Sequence, residues 1–327
     1  MSAASPSSPR HPLCLALLGA VLTSAAACNR DEQSSSSGAA SAAPVPSALA
    51  APAPPAPDQL YLPDGGDVAL TQPQPAPAVA PVPTVGHCPA DMVDVKGRFC
   101  IDRYEATLVD AQSRSFSPYF PPSRAEAKGI LAKFSDLTPS MASPPAMPLL
   151  PDWQRSEDAR PVAQSRAAVV PSGYLNGVNA KAACEGASKR LCTGAEWELA
   201  CRGEQDRQFP YGDKYQQGRC NVFREAHPAH ALHGDASRNH LDPRLNLVKG
   251  SAGPLLRKTG STPECKSQWG NDAVYDMVGN LDEWIEDPAG TFVGGFFSRS
   301  TKEGCSSRVE AHPFEYFDYS LGVRCCR

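Results

Sequence analysis

Large apolar side chains are spread very unevenly along the 327 residues of the chain. Leu13-Cys14-Leu15-Ala16-Leu17-Leu18-Gly19-Ala20-Val21-Leu22 is a continuous apolar run, but about ten residues cannot span a hydrocarbon core of roughly 30 Å as a helix. From Asn29 to Gly86 the sequence is Ser, Ala, Pro and Gln, with Leu60-Tyr61-Leu62 as the main exception, so there is too little to bury against the entropy of ordering. From His87 to Arg327 Trp, Tyr, Phe and Cys recur without another low-complexity stretch, a length that supports one sizeable core. Within this last part Met92-Val93-Asp94-Val95 and Arg98-Phe99-Cys100-Ile101-Asp102 predict short strands about a turn at Lys96-Gly97. Val178, Ala182 and Ala183 recur at helical spacing and predict a helix over about Asn176–Gly186. Thr193-Gly194-Ala195-Glu196 reads as a capping box opening a second helix, with Trp197, Ala200 and Cys201 on one face. Residues 203–270 hold long irregular stretches and there is no internal repeat. The pattern predicts a signal peptide over 1–28, a disordered linker over 29–86 and a loop-rich α+β domain over 87–327.

The N-terminal run follows Arg10 and His11 and leads into Thr23-Ser24-Ala25-Ala26-Ala27-Cys28, which resembles the lipobox cut by bacterial lipoprotein signal peptidase. Ala25 stands where that motif usually carries Leu, and cleavage after an Ala-x-Ala is the alternative. Lipidation of Cys28 would anchor the chain in a membrane at the cell envelope, and Asn29 rather than Asp points to the outer membrane; a periplasmic or secreted protein is the alternative. The linker holds twelve of the 33 prolines. Its reach of at least roughly 40 Å would carry the domain clear of a membrane surface.

A formal net charge of -4 gives no basic field of the kind nucleic-acid binding uses, so nucleic acid is not expected as a partner. Twelve cysteines without a single Cys-x-x-Cys point to disulfides in an oxidising compartment rather than to metal ligands. With Cys14 in the signal segment and Cys28 lipidated, ten remain, and spacing alone cannot choose their pairing. Cys88 with Cys100 and Cys201 with Cys220 are provisional pairs, chosen only because they are near in sequence.

Four segments carry a resemblance. They are Phe99-Cys100-Ile101-Asp102-Arg103-Tyr104-Glu105-Ala106-Thr107, Lys189-Arg190-Leu191-Cys192-Thr193-Gly194-Ala195-Glu196-Trp197-Glu198-Leu199-Ala200-Cys201-Arg202-Gly203, Val274-Tyr275-Asp276-Met277-Val278-Gly279-Asn280-Leu281-Asp282-Glu283-Trp284, and Gly322-Val323-Arg324-Cys325-Cys326. In this order and spacing the chain resembles the formylglycine-generating enzyme (sulfatase-modifying factor) family. The resemblance implies an irregular, disulfide-stabilised α+β fold akin to C-type lectins. Active members hold copper(I) on two cysteines after a Gly-Gly-Ser segment and oxidise a substrate cysteine, and a soft metal needs both thiolates. The matching stretch here is Gly294-Gly295-Phe296-Phe297-Ser298-Arg299-Ser300-Thr301-Lys302-Glu303-Gly304-Cys305. Arg299 stands in place of the first cysteine, Cys305 lies about one residue from the place of the second, and copper is therefore not expected; the vicinal Cys325-Cys326 pair reads as two structural half-cystines. The resemblance also implies structural calcium on hard oxygen ligands. Asp276, Gly279, Leu281 and Glu283 would form one site, and Asn221, Val222, Asp235 and Ser237 a second.

His227, His230 and His233, with His240 nearby, have the right chemistry for zinc or copper, but Pro228 disfavours a regular helix through all three and the segment reads as a solvated loop. Trp197, Trp269 and Trp284 offer aromatic surface, the first and last of them reading as core. The run His312-Pro313-Phe314-Glu315-Tyr316-Phe317-Asp318-Tyr319 is the better candidate ligand surface. Fold does not settle activity. The expected function is a non-oxidase binding or assembly module at the cell envelope, with an envelope protein or a glycan as ligand; the alternatives are a divergent oxidase of protein cysteine and lectin-like carbohydrate binding.

Overall fold

In a computed structural model of the chain, the structure describes residues 84–85, 87–223 and 226–327. The signal segment, Cys28 and almost all of the linker lie outside the described residues. The strands Met92–Val95 and Phe99–Asp102 pair antiparallel with Val95 opposite Phe99, across Lys96, Gly97 and Arg98; Lys96 and Gly97 are at positive φ and Arg98 N donates to the Val95 carbonyl at 3.1 Å. They belong to a four-stranded antiparallel sheet completed by Cys325–Cys326 and Arg190–Leu191. A second four-stranded sheet runs in the order Arg308–Val309, Phe292–Val293, Asp282–Trp284 and Leu321–Val323. Its last pair is parallel, with Asp282 opposite Leu321 and Trp284 opposite Val323. The final strands of the two sheets are separated by one residue, Arg324, which is therefore trapped between them and fully buried.

The capping box at Thr193 forms as expected: Thr193 Oγ1 accepts from Glu196 N and Glu196 Oε2 accepts from Thr193 N. The helix it opens, Gly194–Arg202, buries Trp197, Ala200 and Cys201. The helix Gly177–Gly186 is also present, capped by Asn176, but its buried face differs from the expected one. Ala180, Ala183 and Cys184 face inward while Val178 is 49% exposed. Close approach explains the small residues: a Cβ on Gly186 would lie 2.5 Å from the Pro161 carbonyl. A third helix, Arg124–Ser135, capped by Ser123 and burying Ala127, Ile130 and Phe134, has no counterpart among the elements the sequence predicts. Among the described residues no helix is long and apolar enough to cross a membrane.

Five disulfides use all ten cysteines of the domain: Cys88–Cys100, Cys184–Cys325, Cys192–Cys326, Cys201–Cys305 and Cys220–Cys265. The provisional pair Cys88–Cys100 forms, because the hairpin folds its strands together. The other, Cys201–Cys220, does not. Cys201 lies on the buried face of its helix, towards the turn Gly304–Ser306, and takes Cys305.

Candidate functional site

Side chains alternate along a strand, so Asp282 and Glu283 are sent to opposite sides of the second sheet. Both are buried, and each anchors a polar group of its own. On the Glu283 side, Arg324 donates from Nε and Nη2 to the carboxylate, from Nη1 to the Asp102 carbonyl and from Nη2 to the Tyr275 carbonyl. Trp197 Nε1 donates to Glu283 Oε2 at 2.7 Å. Glu105 accepts from Asn280 Nδ2 at 2.6 Å and from Leu281 N at 3.0 Å. Asp276 accepts from Gly260 N. Glu105, Asp276 and Glu283 thus share one guanidinium. Burial raises the carboxyl of Glu105 well above its usual range, with Asp276 and Glu283 adding to the shift, and burial likewise raises Asp276. Glu105 and Arg324 lie within the segments that carry the family resemblance.

On the other side, Asp282 Oδ1 accepts from Gly295 N at 2.9 Å and from Arg299 Nη2. Its Oδ2 is buried without a hydrogen-bond partner among the described residues. Burial pushes this carboxyl up to about 7, against the opposing pull of Arg299. Gly295 makes the turn at a φ of +79°, where a Cβ would meet Thr301 Oγ1 at 2.2 Å. The Arg299 guanidinium lies over the Phe296 ring, 5.6 Å from its centroid. That ring also meets Phe297, Tyr319 and His227 edge-on.

The histidine segment is not the loop its proline suggested. Pro228 occupies the first turn of a short helix, Pro228–His233, where its missing N–H costs nothing, and His227 is the N-cap. The imidazoles do not converge on a common point: His227 Nε2 lies 3.1 Å from Tyr319 Oη, His240 Nε2 2.7 Å from the Ala236 carbonyl, and His233 Nε2 3.1 Å from Asp242 Oδ2. Among the described residues the one cluster of three metal-ligating side chains is His87, Cys88 and Cys100, whose two sulfurs are bonded to each other. Trp197, Trp269, Trp284 and Tyr319 are buried. Much of the segment 312–319 also packs inward, with Phe314 against Trp284 and Tyr316 stacked on His312. Tyr316, Phe317 and Asp318 nevertheless line an open cleft of about 440 Å³ together with Ser237, Asn239 and His240.

Copper does not fit these residues. Cys305 is bonded to Cys201, Cys325 and Cys326 are bonded to Cys184 and Cys192, and Arg299 is paired with Asp282. The oxygen ligands expected for calcium are arranged more favourably. Asn221 and Gly279, one candidate ligand from each set, form a bridge. Asn221 Nδ2 donates to Leu255 and Asn280, leaving its Oδ1 buried and without a partner among the described residues. Asp276 and Glu283 share the buried cluster, although Glu283 is already held by Arg324. Asp235 accepts from Ser237 and pairs with Arg238, so its carboxylate is engaged locally.

These features define a disulfide-locked, formylglycine-generating-enzyme-like α+β domain without a thiolate pair. The chain belongs to the sulfatase-modifying factor family: the family pattern described as "Sulfatase-modifying factor enzyme 1-like domain" matches residues 47–326. The formylglycine-generating enzyme of Bos taurus is 31% identical over 121 residues, covering 36% of this chain and 27% of that protein. The "Inactive C-alpha-formylglycine-generating enzyme 2" of Bos taurus is 29% identical over 120 residues, covering 35% of this chain and 32% of that protein. The chain thus matches about a third or less of the length of these relatives. Solved structures similar to it include PvdO from Pseudomonas aeruginosa (15% identity, TM-score 0.34, 70% of this chain and 80% of that one). CarF is similar at 12% identity and a TM-score of 0.36, over 70% of this chain and 86% of that one.

Proposed function

We propose that the chain is an exported, lipid-anchored protein of the cell envelope whose family domain works as a binding or assembly module and not as a copper oxidase. One observation carries this reading: at the two places where copper thiolates would stand, Arg299 is spent on Asp282 and Cys305 on Cys201. A relative described as inactive is compatible with it. Copper(I) titration of the purified mature protein, with a free-thiol count on the same sample, tests it. The expected result is no stoichiometric binding and no free thiol. Tight one-to-one binding, lost in Cys305→Ser, would replace it with the oxidase reading.

Calcium is proposed as a structural cofactor, supported by the open oxygen of Asn221 and the buried carboxylates of Asp276 and Glu283. At about a hundred times its Kd the ion would add about 2.7 kcal/mol. For a domain of this size the melting temperature is expected to rise by about 5–10 °C and to fall back with EDTA. An unchanged melting temperature in millimolar calcium would remove both sites. A carbohydrate-binding role is a second reading, favoured by the open cleft with Tyr316 and Phe317 on its wall beside Ser237, Asn239 and His240.

A further inference from the structure

The open cleft of about 440 Å³ lies between two loops that the backbone ties together. Tyr319 N donates to the His240 carbonyl at 3.3 Å, and the two rings meet edge-on with centroids 5.9 Å apart. On one wall His240 Nε2 lies 2.7 Å from the Ala236 carbonyl, which closes the loop 236–240 on itself. On the other, Tyr316 N donates to the Pro313 carbonyl at 2.9 Å, and that turn leaves Glu315 exposed. The volume falls within the roughly 300–1,000 Å³ of small-ligand sites.

Two side chains lining the cleft have polar atoms to offer a ligand. The Glu315 carboxylate is exposed and has no hydrogen bond or ion pair among the described residues. Asn239, on a backbone at a φ of +58°, has its side-chain amide likewise unengaged among the described residues. Other polar groups here are already used: Ser237 Oγ donates to Asp235, one oxygen of Asp318 accepts from Ser320, and the other accepts from the Tyr316 hydroxyl. The Tyr316 and Phe317 rings, both partly exposed, add apolar surface. The charge is one-sided. Glu315 and Asp318 line the cleft, no Lys or Arg lines it, and Arg238, adjacent in sequence, pairs with Asp235. Such a lining repels an acidic sugar and attracts a cationic one, and aromatic rings favour a cation further.

We infer that this cleft binds a glycan carrying protonated amines, with an ammonium on the Glu315 carboxylate, a hydroxyl on the Asn239 amide and an apolar sugar face against the exposed parts of Tyr316 and Phe317. The inference rests on the carbohydrate reading of the cleft and names the chemical class of sugar it takes.

The test is a 15N NMR titration of the mature protein, read at the Asn239 side-chain amide, in low salt at about pH 6, where a sugar amine is protonated. The probes are β-1,4-linked trimers of glucosamine, of N-acetylglucosamine and of glucose. The glucosamine trimer is expected to bind about fivefold more tightly than the other two, the size of an exposed ion pair. Glu315→Gln should remove that preference, and so should roughly 0.5 M NaCl. Glu310→Gln, which removes an exposed carboxylate paired with Arg308 outside the cleft, should keep it. Asn239→Ala, read at the Phe317 backbone amide, should weaken all three trimers alike. A glucosamine trimer that binds no more tightly than the others, or a preference that survives in Glu315→Gln, overturns the inference and leaves the carbohydrate reading standing. No saturable shift with any trimer overturns both.

Discussion

Arg324→Met is expected to destabilise the domain by about 3–5 kcal/mol, the usual cost of stranding a buried partner charge. The guanidinium is fully buried and donates to the Glu283 carboxylate and to the carbonyls of Asp102 and Tyr275. It therefore ties together three strands, Phe99–Asp102, Asp272–Tyr275 and Asp282–Trp284. Its removal leaves Glu105, Asp276 and Glu283 in one desolvated cluster without the guanidinium that acts on all three. Urea denaturation in EDTA measures the loss. The double variant Arg324→Met/Glu283→Gln is expected to recover part of it, since most of the cost is the uncompensated charge and the amide oxygen of Gln can still accept from Trp197 Nε1. A double variant no more stable than the single one would show that lost packing dominates.

The sign of the pH dependence follows from the same cluster. Glu105 and Asp276 have folded-state pKa values raised above their unfolded ones. Their contribution is intact below the unfolded values and is lost as pH rises through the folded ones. Removing this cation raises both further, so Arg324→Met should gain more stability than the parent when pH is lowered from about 8 to about 5.5. Equal slopes would mean that Arg324 is not the counterion of these carboxyls.

What could be read in the sequence was local. The Lys96-Gly97 turn, the capping box at Thr193 and the Cys88–Cys100 bridge each depend on residues a few positions apart, and each appears where expected. Long-range partners could not be read, because they depend on where loops return. Nothing near Cys184 or Cys192 announces that adjacent residues at the C-terminus will take them. The same limit explains Val178: its spacing fits an inward face, but the neighbouring strand Val162–Ser165 packs against the small residues of that helix instead. The helix Arg124–Ser135 has a readable start in Ser123 and Glu126, but its apolar positions are few. The polar groups around the strand Asp282–Trp284 were half legible. Arg299 drew attention as a replacement for cysteine, but its pairing with Asp282 needed the turn through Gly295. Arg324 had a signal of its own, a lone charge within Leu321-Gly322-Val323-Arg324-Cys325-Cys326, which an interior admits only when paired.

Cys184→Ala/Cys192→Ala/Cys325→Ala/Cys326→Ala, which removes both C-terminal bridges, is expected to cost about 6 kcal/mol, against about 3 kcal/mol for Cys88→Ala/Cys100→Ala, because it releases two closed loops instead of one. With Cys201–Cys305 in place the two C-terminal bridges close one loop of about 30 residues and a second of about ten, whereas Cys88–Cys100 closes one of 12. The order should be visible in unfolding free energies from urea, each taken with its own m-value, since losing a bridge exposes more surface in the unfolded chain. Context strengthens the contrast. The strand Cys325–Cys326 is two residues long; besides its two disulfides it pairs with Ile101, Leu191 and Arg190, and Cys325 N donates to Asp102 Oδ2. Adjacent strand residues point to opposite faces, so Cys184 and Cys192 hold this segment from two sides. Arg324 immediately precedes it, and a loosened segment would also misplace the guanidinium that Glu283 requires. Loss of the Cys184–Cys325 bridge and Arg324→Met should therefore be less than additive when combined, with a coupling on the order of 1 kcal/mol or more. Strict additivity would mean that the strand Leu321–Val323 alone is sufficient to position Arg324.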